Sequence, residues 1–251
     1  MRERNLALIY LRSIAFHIVY YLNCTFWFLF AVIGWVLPTS GMKWMARVWG
    51  VSSMYLHELI TGACVTIKGV ERIPDGPILV AAKHQSAWET MALVPFFPNP
   101  TYILKRELLW VPLFGWHLIK AQQIPIDRGD RAKALASIER GVKRAMAQGA
   151  HIMIFPEGTR RKVGAPPAYR FGVARIYDAA GHSCQPVAIL SGLAWPRNTL
   201  LHYPEPILME FLEPIPAGLP QDEFLAKVQE RIEDGVSRLT GEAKAAGARR
   251  A

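Results

Sequence analysis

Hydrophobic and polar positions fall into two regimes along the chain. Residues 13–37, SIAFHIVYYLNCTFWFLFAVIGWVL, carry no Asp, Glu, Lys or Arg. As a helix this run measures about 37 Å at 1.5 Å per residue, against a hydrocarbon core of roughly 30 Å. Further on, short apolar, β-branched runs bounded by turn residues predict strands at 65–70, 77–82, 101–104, 151–155, 186–190 and 207–211. Between them the period changes. Ala134, Leu135, Ile138, Val142, Ala145 and Met146 recur at three-to-four spacing and Gly149 follows, so 131–148 predicts a helix with a glycine stop. Residues 171–180 and 222–239 read likewise. Alternating strands and helices predict an α/β fold, a mixed sheet flanked by helices.

The N-terminal run is too long for the h-region of a signal peptide, and no small-x-small cleavage site follows it. A buried core helix is the competing reading. Trp27, Trp35, Tyr20 and Tyr21 favour a membrane, since such aromatics seek the interface. Arg2, Arg4 and Arg12 precede the run, and Lys43 and Arg47 follow it. Positive charge on both flanks suits a segment that enters and leaves by one face, bending near Asn23, Gly34 or Pro38. Residues 43–61 mix Trp44, Met45, Val48, Trp49, Met54, Tyr55 and Leu56 with isolated charges, as an interfacial helix does. The expected organisation is an N-terminal membrane-anchoring helical hairpin over 1–61, an α/β domain over 62–240, and a small, charged, flexible tail over 241–251.

Composition narrows the class. The 251 residues include 29 Lys and Arg against 20 Asp and Glu, a net charge of +9, and 51% are hydrophobic. That is too apolar for a disordered chain and too polar for a multi-span membrane protein. The three cysteines, Cys24, Cys64 and Cys184, form no C-x-x-C pair. A disulfide scaffold and a cysteine-rich metal site are therefore not expected, and a reducing, cytosol-facing catalytic part is. Basic excess suits nucleic acid, anionic lipid or an acidic carrier. Without a basic block or a nucleic-acid motif the expectation is no nucleic acid, and the anchor points to lipid.

Chemistry belongs beyond the carboxyl ends of strands. The 77–82 strand runs into Lys83-His84-Gln85-Ser86-Ala87-Trp88-Glu89. With His84 in the turn and Glu89 in the first helical turn, the carboxylate can hold one ring nitrogen and leave the other as a base. The plain alternative is a capping box, Ser86-x-x-Glu89, with Glu89 bonded to the Ser86 amide. A second exit, Phe155-Pro156-Glu157-Gly158-Thr159-Arg160-Arg161, joins a glycine turn to paired arginines suited to phosphate. Ile124-Pro125-Ile126-Asp127-Arg128 and Lys105-Arg106 add basic groups at other apolar ends, where a solvated surface is the plain alternative.

In order, H-x4-D/E, I-x-R, FPEGTR and a Pro-Val strand at 185–189 resemble the glycerolipid acyltransferase family across about 120 residues. The family usually carries Asp where Glu89 stands and Asn where Lys83 stands. The resemblance implies transfer of a fatty acyl chain from a thioester to the free sn-2 hydroxyl of lysophosphatidate, giving phosphatidate. His84 would be the base and Glu89 its partner. Arg160 would hold the acceptor phosphate, helped by Lys105, Arg128 and Arg161, with Glu157, Gly158 and Thr159 shaping the pocket. No metal and no bound cofactor are expected. Acyl-CoA or acyl-acyl carrier protein would be the co-substrate, and the cytoplasmic membrane, with the catalytic part facing the cytosol, the location. Rival readings are another lysolipid acceptor such as a lyso-ornithine lipid, a Ser86 hydrolase, and a non-catalytic membrane adaptor.

Overall fold

The computed structural model describes residues 5–33, 38–126 and 131–250. Its sheet contains β1 (Cys64–Lys68), β2 (Leu79–Ala82), β3 (Pro100–Lys105), β4 (Ile124–Ile126), β5 (His151–Ile154), β6 (Cys184–Leu190) and β7 (Pro206–Phe211). They lie side by side in the order β1-β7-β6-β2-β5-β3-β4. Every neighbouring pair is parallel except β6 with β7. The central strands β2, β5 and β6 are buried along their whole length, as parallel strands covered on both faces must be.

Alternate residues of these strands feed two cores. Leu79, Ala81, Ile152, Ile154, Ala188 and Leu190 pack against α5 (Arg131–Ala147), α6 (Gly172–Ala180) and α7 (Gln221–Arg250). Val80, Ala82, Met153, Val187 and Ile189 pack with Trp88, Met91 and Ala92 of α3 (Trp88–Ala92) and with Phe16 from the N-terminal helix. The six strands read from the sequence are present in the mixed sheet. The three-residue β4 and the seven-residue α4 (Phe114–Lys120) were not foreseen, being too short to show a period.

The N-terminal region is a helical hairpin. In α1 (Leu6–Ile33) and α2 (Thr39–Thr61), Asn23 Nδ2 donates to Ser52 and Ser53 Oγ at 3.1 and 3.0 Å, and Phe28 meets the Trp49 ring. Residues later in α1 thus meet residues earlier in α2, so the two helices run antiparallel. The chain does not bend at Asn23, because α1 passes straight through it. Pro38 stands extended directly before α2, while Gly34 lies outside the described residues. Leu6–Val32 is apolar and long enough to cross a membrane, and most of its surface is uncovered by protein.

The tail differs from expectation. Instead of fraying at 241, α7 continues to Arg250. Ala243 is buried in the core, and Glu242 pairs with Lys68 of β1 at 2.7 Å.

Candidate active site

The sheet order explains why residues far apart in sequence meet. β2 lies between β5 and β6, parallel to both, with Ala81 opposite Ile154 and Ala82 opposite Val187. Three strand exits therefore open on the same edge. After β2 the chain turns through Lys83 to Ala87 and enters α3, placing His84 in the turn and Glu89 in the first helical turn. After β5 it passes through Phe155 to Arg161, and the Arg161 amide donates to the His84 carbonyl at 2.8 Å. After β6 come Ser191 and Gly192, whose amides both donate to Gln85 Oε1 at 3.1 Å.

Glu89 is fully buried and surrounded by donors. Its carboxylate accepts from the Gln85 amide at 2.5 Å, the Ser86 amide at 2.9 Å, Ser86 Oγ at 2.7 Å and Ser191 Oγ at 3.0 Å. The capping contact to Ser86 is thus formed, and Ser86 Oγ in turn accepts from the Trp88 amide at 2.9 Å. His84 Nδ1 lies 3.9 Å from Glu89 Oε1, an ion-pair distance rather than a hydrogen bond. The one carboxylate therefore caps α3 and faces the imidazole. Burial pushes the Glu89 carboxyl upward, opposed by the hydrogen bonds from Gln85 and Ser86.

The imidazole of His84 stacks on Phe155, with ring centroids 4.0 Å apart and planes 16° from parallel. Burial, then the nearby charges of Arg160 and Arg197, hold its pKa down to about 3. At neutral pH it is therefore an uncharged ring able to accept a proton.

His84 forms part of the wall of a cavity of about 660 Å³, a volume ordinary for a small-molecule site. Thr159, Arg160, Arg170, Lys105 and Lys43 line it, together with Trp27, Phe28 and Ala31 of α1, Met42 and Met45 of α2, and residues of β3 and α4. Gly158 also lines it in a left-handed turn, φ 65°, closed by its amide bonding to the Phe155 carbonyl at 2.9 Å. A Cβ there would sit 2.8 Å from Arg170 Nε, so the turn favours glycine and an added methyl would displace the arginine side chain.

Not every residue singled out in the sequence reaches this cavity. Glu157 is buried behind the wall, its Oε1 3.0 Å from Lys83 Nζ. Lys83 Nζ also lies 2.6 Å from Glu233 of α7, which accepts from Tyr169 Oη at 2.9 Å. Arg161 points the same way: its Nε is 4.0 Å from Glu157, and its terminal nitrogen donates to the Pro166 carbonyl at 3.0 Å. Arg128 lies outside the described residues. Sequence reasoning missed Arg170 and Arg197. The Arg170 Nε donates to the Glu157 carbonyl at 3.3 Å, and Arg197 donates to the Arg160 carbonyl. Each is an isolated arginine in a loop, which nothing short of the fold distinguishes from a surface charge. Among the described residues no group of three His, Cys, Asp or Glu converges as a metal site.

Comparison with known proteins identifies the family and the fold. The acyltransferase family model matches residues 64–190, from β1 to the end of β6. A 1-acyl-sn-glycerol-3-phosphate acyltransferase of Pseudomonas aeruginosa is 32% identical over 208 residues, covering 82% of this chain and 81% of that protein. One from Cocos nucifera is 31% identical over 159 residues, 62% of this chain; the chain spans about half of that relative's length. The fold is also that of the crystal structure of the 1-acyl-sn-glycerophosphate (LPA) acyltransferase PlsC from Thermotoga maritima, with a TM-score of 0.77 over 92% of this chain and 97% of that one, at 21% identity. With its motif-bearing strand exits inside the matched region, and a relative aligned over most of both lengths, the chain belongs to the acyltransferase family.

Proposed function

We propose that this enzyme transfers a fatty acyl chain from a thioester to the sn-2 hydroxyl of lysophosphatidate, with His84 as general base. The observation that carries the reading is one cavity lined by a neutral imidazole, by cationic side chains and by apolar side chains of α1 and α2. An amphiphile with a phosphate head and a hydrocarbon chain matches that lining. The curated relatives bear the name of this activity.

In the reaction His84 Nε2 takes the hydroxyl proton as the oxygen attacks the thioester carbonyl. The tetrahedral adduct collapses, the C–S bond breaks, and the imidazolium returns its proton to the departing thiolate. Glu89 faces the buried Nδ1 and balances the imidazolium; the 3.9 Å gap shortens when the ring becomes charged, as catalytic hydrogen bonds do on substrate binding. Arg160, Lys105 and Arg170 hold the phosphate. Lys83, Glu157 and Arg161 act from behind the wall, fixing the loop that carries Arg160. The thioester is already activated, so the chemistry needs no bound cofactor; the carrier is coenzyme A or an acyl carrier protein, both of them anionic and so complementary to the chain's basic excess. Residues 1–61 anchor the enzyme to the cytoplasmic membrane, with the site on the cytosolic side, where the acceptor can enter from the lipid.

The test is to incubate purified enzyme with oleoyl thioester and lysophosphatidate, and to follow phosphatidate by mass spectrometry. Replacing His84 by Ala should lower turnover by about 10²–10⁴-fold, the usual contribution of a general base. Turnover in both proteins alike would remove His84 from the chemistry. Acylation of a phosphate-free lysolipid alone would replace the acceptor, and donor-free hydrolysis with labelling of Ser86 would replace the reaction.

A further inference from the structure

Between β3 and β4 the chain carries a second apolar stretch, LLWVPLFGWHLI at 108–119, with no Asp, Glu, Lys or Arg. At twelve residues it is too short to cross a bilayer. It folds as a short 3₁₀ turn from Arg106 to Trp110 followed by α4. Two features fix its shape. Leu113 adopts φ 64°, a conformation leucine disfavours, and a side chain at Gly115 would collide with the Leu109 carbonyl. Such a committed backbone persists where its surroundings hold it.

The segment has two faces. Leu108, Phe114, His117 and Leu118 line the cavity. Trp110, Val111, Trp116 and Ile119 do not line it and point outward: Trp110 is 76%, Trp116 50% and Ile119 57% exposed. Adjacent large apolar side chains left uncovered in this way mark an interaction surface. What covers them follows from continuity with α1. His117 Nε2 bonds to the Phe28 carbonyl at 3.0 Å, and the Phe114 and Phe28 rings lie 5.4 Å apart. α4 thus meets α1 at Phe28, within the stretch of α1 that exposes Leu22, Phe26, Leu29 and Phe30. Lys105, Arg106 and Lys120 flank the segment, with Glu107 the one acidic residue beside them. Tryptophans at a hydrocarbon edge with basic residues beside them fit an anionic bilayer surface.

We propose that residues 106–120 form a second membrane contact, inserting Trp110, Val111, Trp116 and Ile119 among the lipids beside α1. This rests on the reading of α1 as a membrane anchor. In that position the segment is a wall with bilayer on one side and the substrate cavity on the other, so the cavity lies directly against the lipid phase.

Single cysteines test this in the full chain. In a Cys64→Ser background, Cys24 and Cys184 being buried, an environment-sensitive fluorophore is placed at Ile119→Cys and separately at Trp116→Cys. Ile18→Cys on the exposed side of α1 reports the anchor, and Asp75→Cys, in the exposed turn before β2, reports solvent. The proteins are reconstituted in phosphatidylglycerol–phosphatidylethanolamine vesicles with quencher-labelled acyl chains. Loss of fluorescence at positions 119, 116 and 18, but not 75, is expected. Quenching at 18 with none at 116 and 119 overturns the proposal and leaves the anchor standing. Quenching at none of them overturns the anchor reading and the proposal together. Protection of 116 and 119 only by an added acidic carrier protein would make the face a protein-docking surface and overturn the lipid assignment.

Discussion

Lys83 stands where the family usually has Asn, and replacing it by Met should unseat the loop that holds Arg160. Its ammonium lies 3.0 Å from Glu157 and 2.6 Å from Glu233, with 3% of the residue exposed. Met preserves the stem and removes the charge. The two carboxylates then fare differently. Glu233 keeps its hydrogen bond from Tyr169 and is partly open to water, so its loss resembles that of a surface pair, about 0–1 kcal/mol. Glu157 is buried, and its second carboxylate oxygen already has no hydrogen-bond partner. Breaking a buried pair from one side costs about 3–5 kcal/mol. Burial already raises the Glu157 carboxyl and Lys83 is the main influence lowering it, so proton uptake relieves part of the cost. The expected loss is about 3 kcal/mol, or roughly 6–12 °C of melting temperature at 2–4 °C per kcal/mol for a domain of this size. Thermal unfolding followed by intrinsic fluorescence in detergent measures it. The second arm is Lys83→Met with Glu157→Gln, which removes the stranded charge and should recover most of the loss, a coupling that independent sites do not show. A Lys83→Met protein melting within 2 °C of wild type (a loss under about 1 kcal/mol), or a double variant no more stable than the single, would refute the reasoning.

Three further outcomes follow from the geometry. Glu89→Gln turns an amide nitrogen toward donors, so it should lose about 1–3 kcal/mol of stability as well as activity, and Glu89→Asp should retain more activity; near-wild-type Glu89→Gln turnover would leave Glu89 as a cap alone. Gly158→Ala meets both the positive φ and Arg170, so the KM for the phosphate-bearing acceptor should rise more than kcat falls, as steady-state kinetics with varied acceptor would show. Because His84 is held at about 3, below its unfolded value near 6.5, proton uptake favours the unfolded chain. The stabilising contribution of the neutral ring is complete above about pH 6.5 and declines as pH falls toward 3. Histidine-selective NMR should find the ring neutral at pH 5, and a titration near 6.5 would refute the assigned environment.

Much of this was legible before any coordinates. Strands β2, β5 and β6 are built on apolar runs ending in turn chemistry, so their exits and the motif residues on them could be read directly. The roles within the motif could not. Arg161 reads in sequence as a helper of Arg160 and Glu157 as part of the pocket, yet both face away because Lys83 and Glu233 wait behind the loop; Glu233 lies 150 positions from Lys83 in sequence. The helical tail was misread from composition. Ala, Lys, Glu and Arg are strong helix formers, and the contacts of Ala243 and Glu242 with the rest of the domain supply what an isolated tail lacks. Residues 106–120 hid for the opposite reason, since a dozen apolar residues with a proline and a glycine match neither helical nor strand period.

The sheet order also dictates how the protein can be made. β1 follows directly on α2, yet among the described residues its one neighbour in the sheet is β7, paired from Cys64 with Pro206 to Lys68 with Glu210. At roughly 5–20 residues per second, the ribosome needs on the order of 7–30 s to deliver that partner once β1 has emerged. Throughout that interval the strand presents an unsatisfied backbone edge, the kind that recruits other chains. Assembly of this enzyme is therefore governed by its most distant pairing, and its exposure to misassembly is greatest while β1 waits.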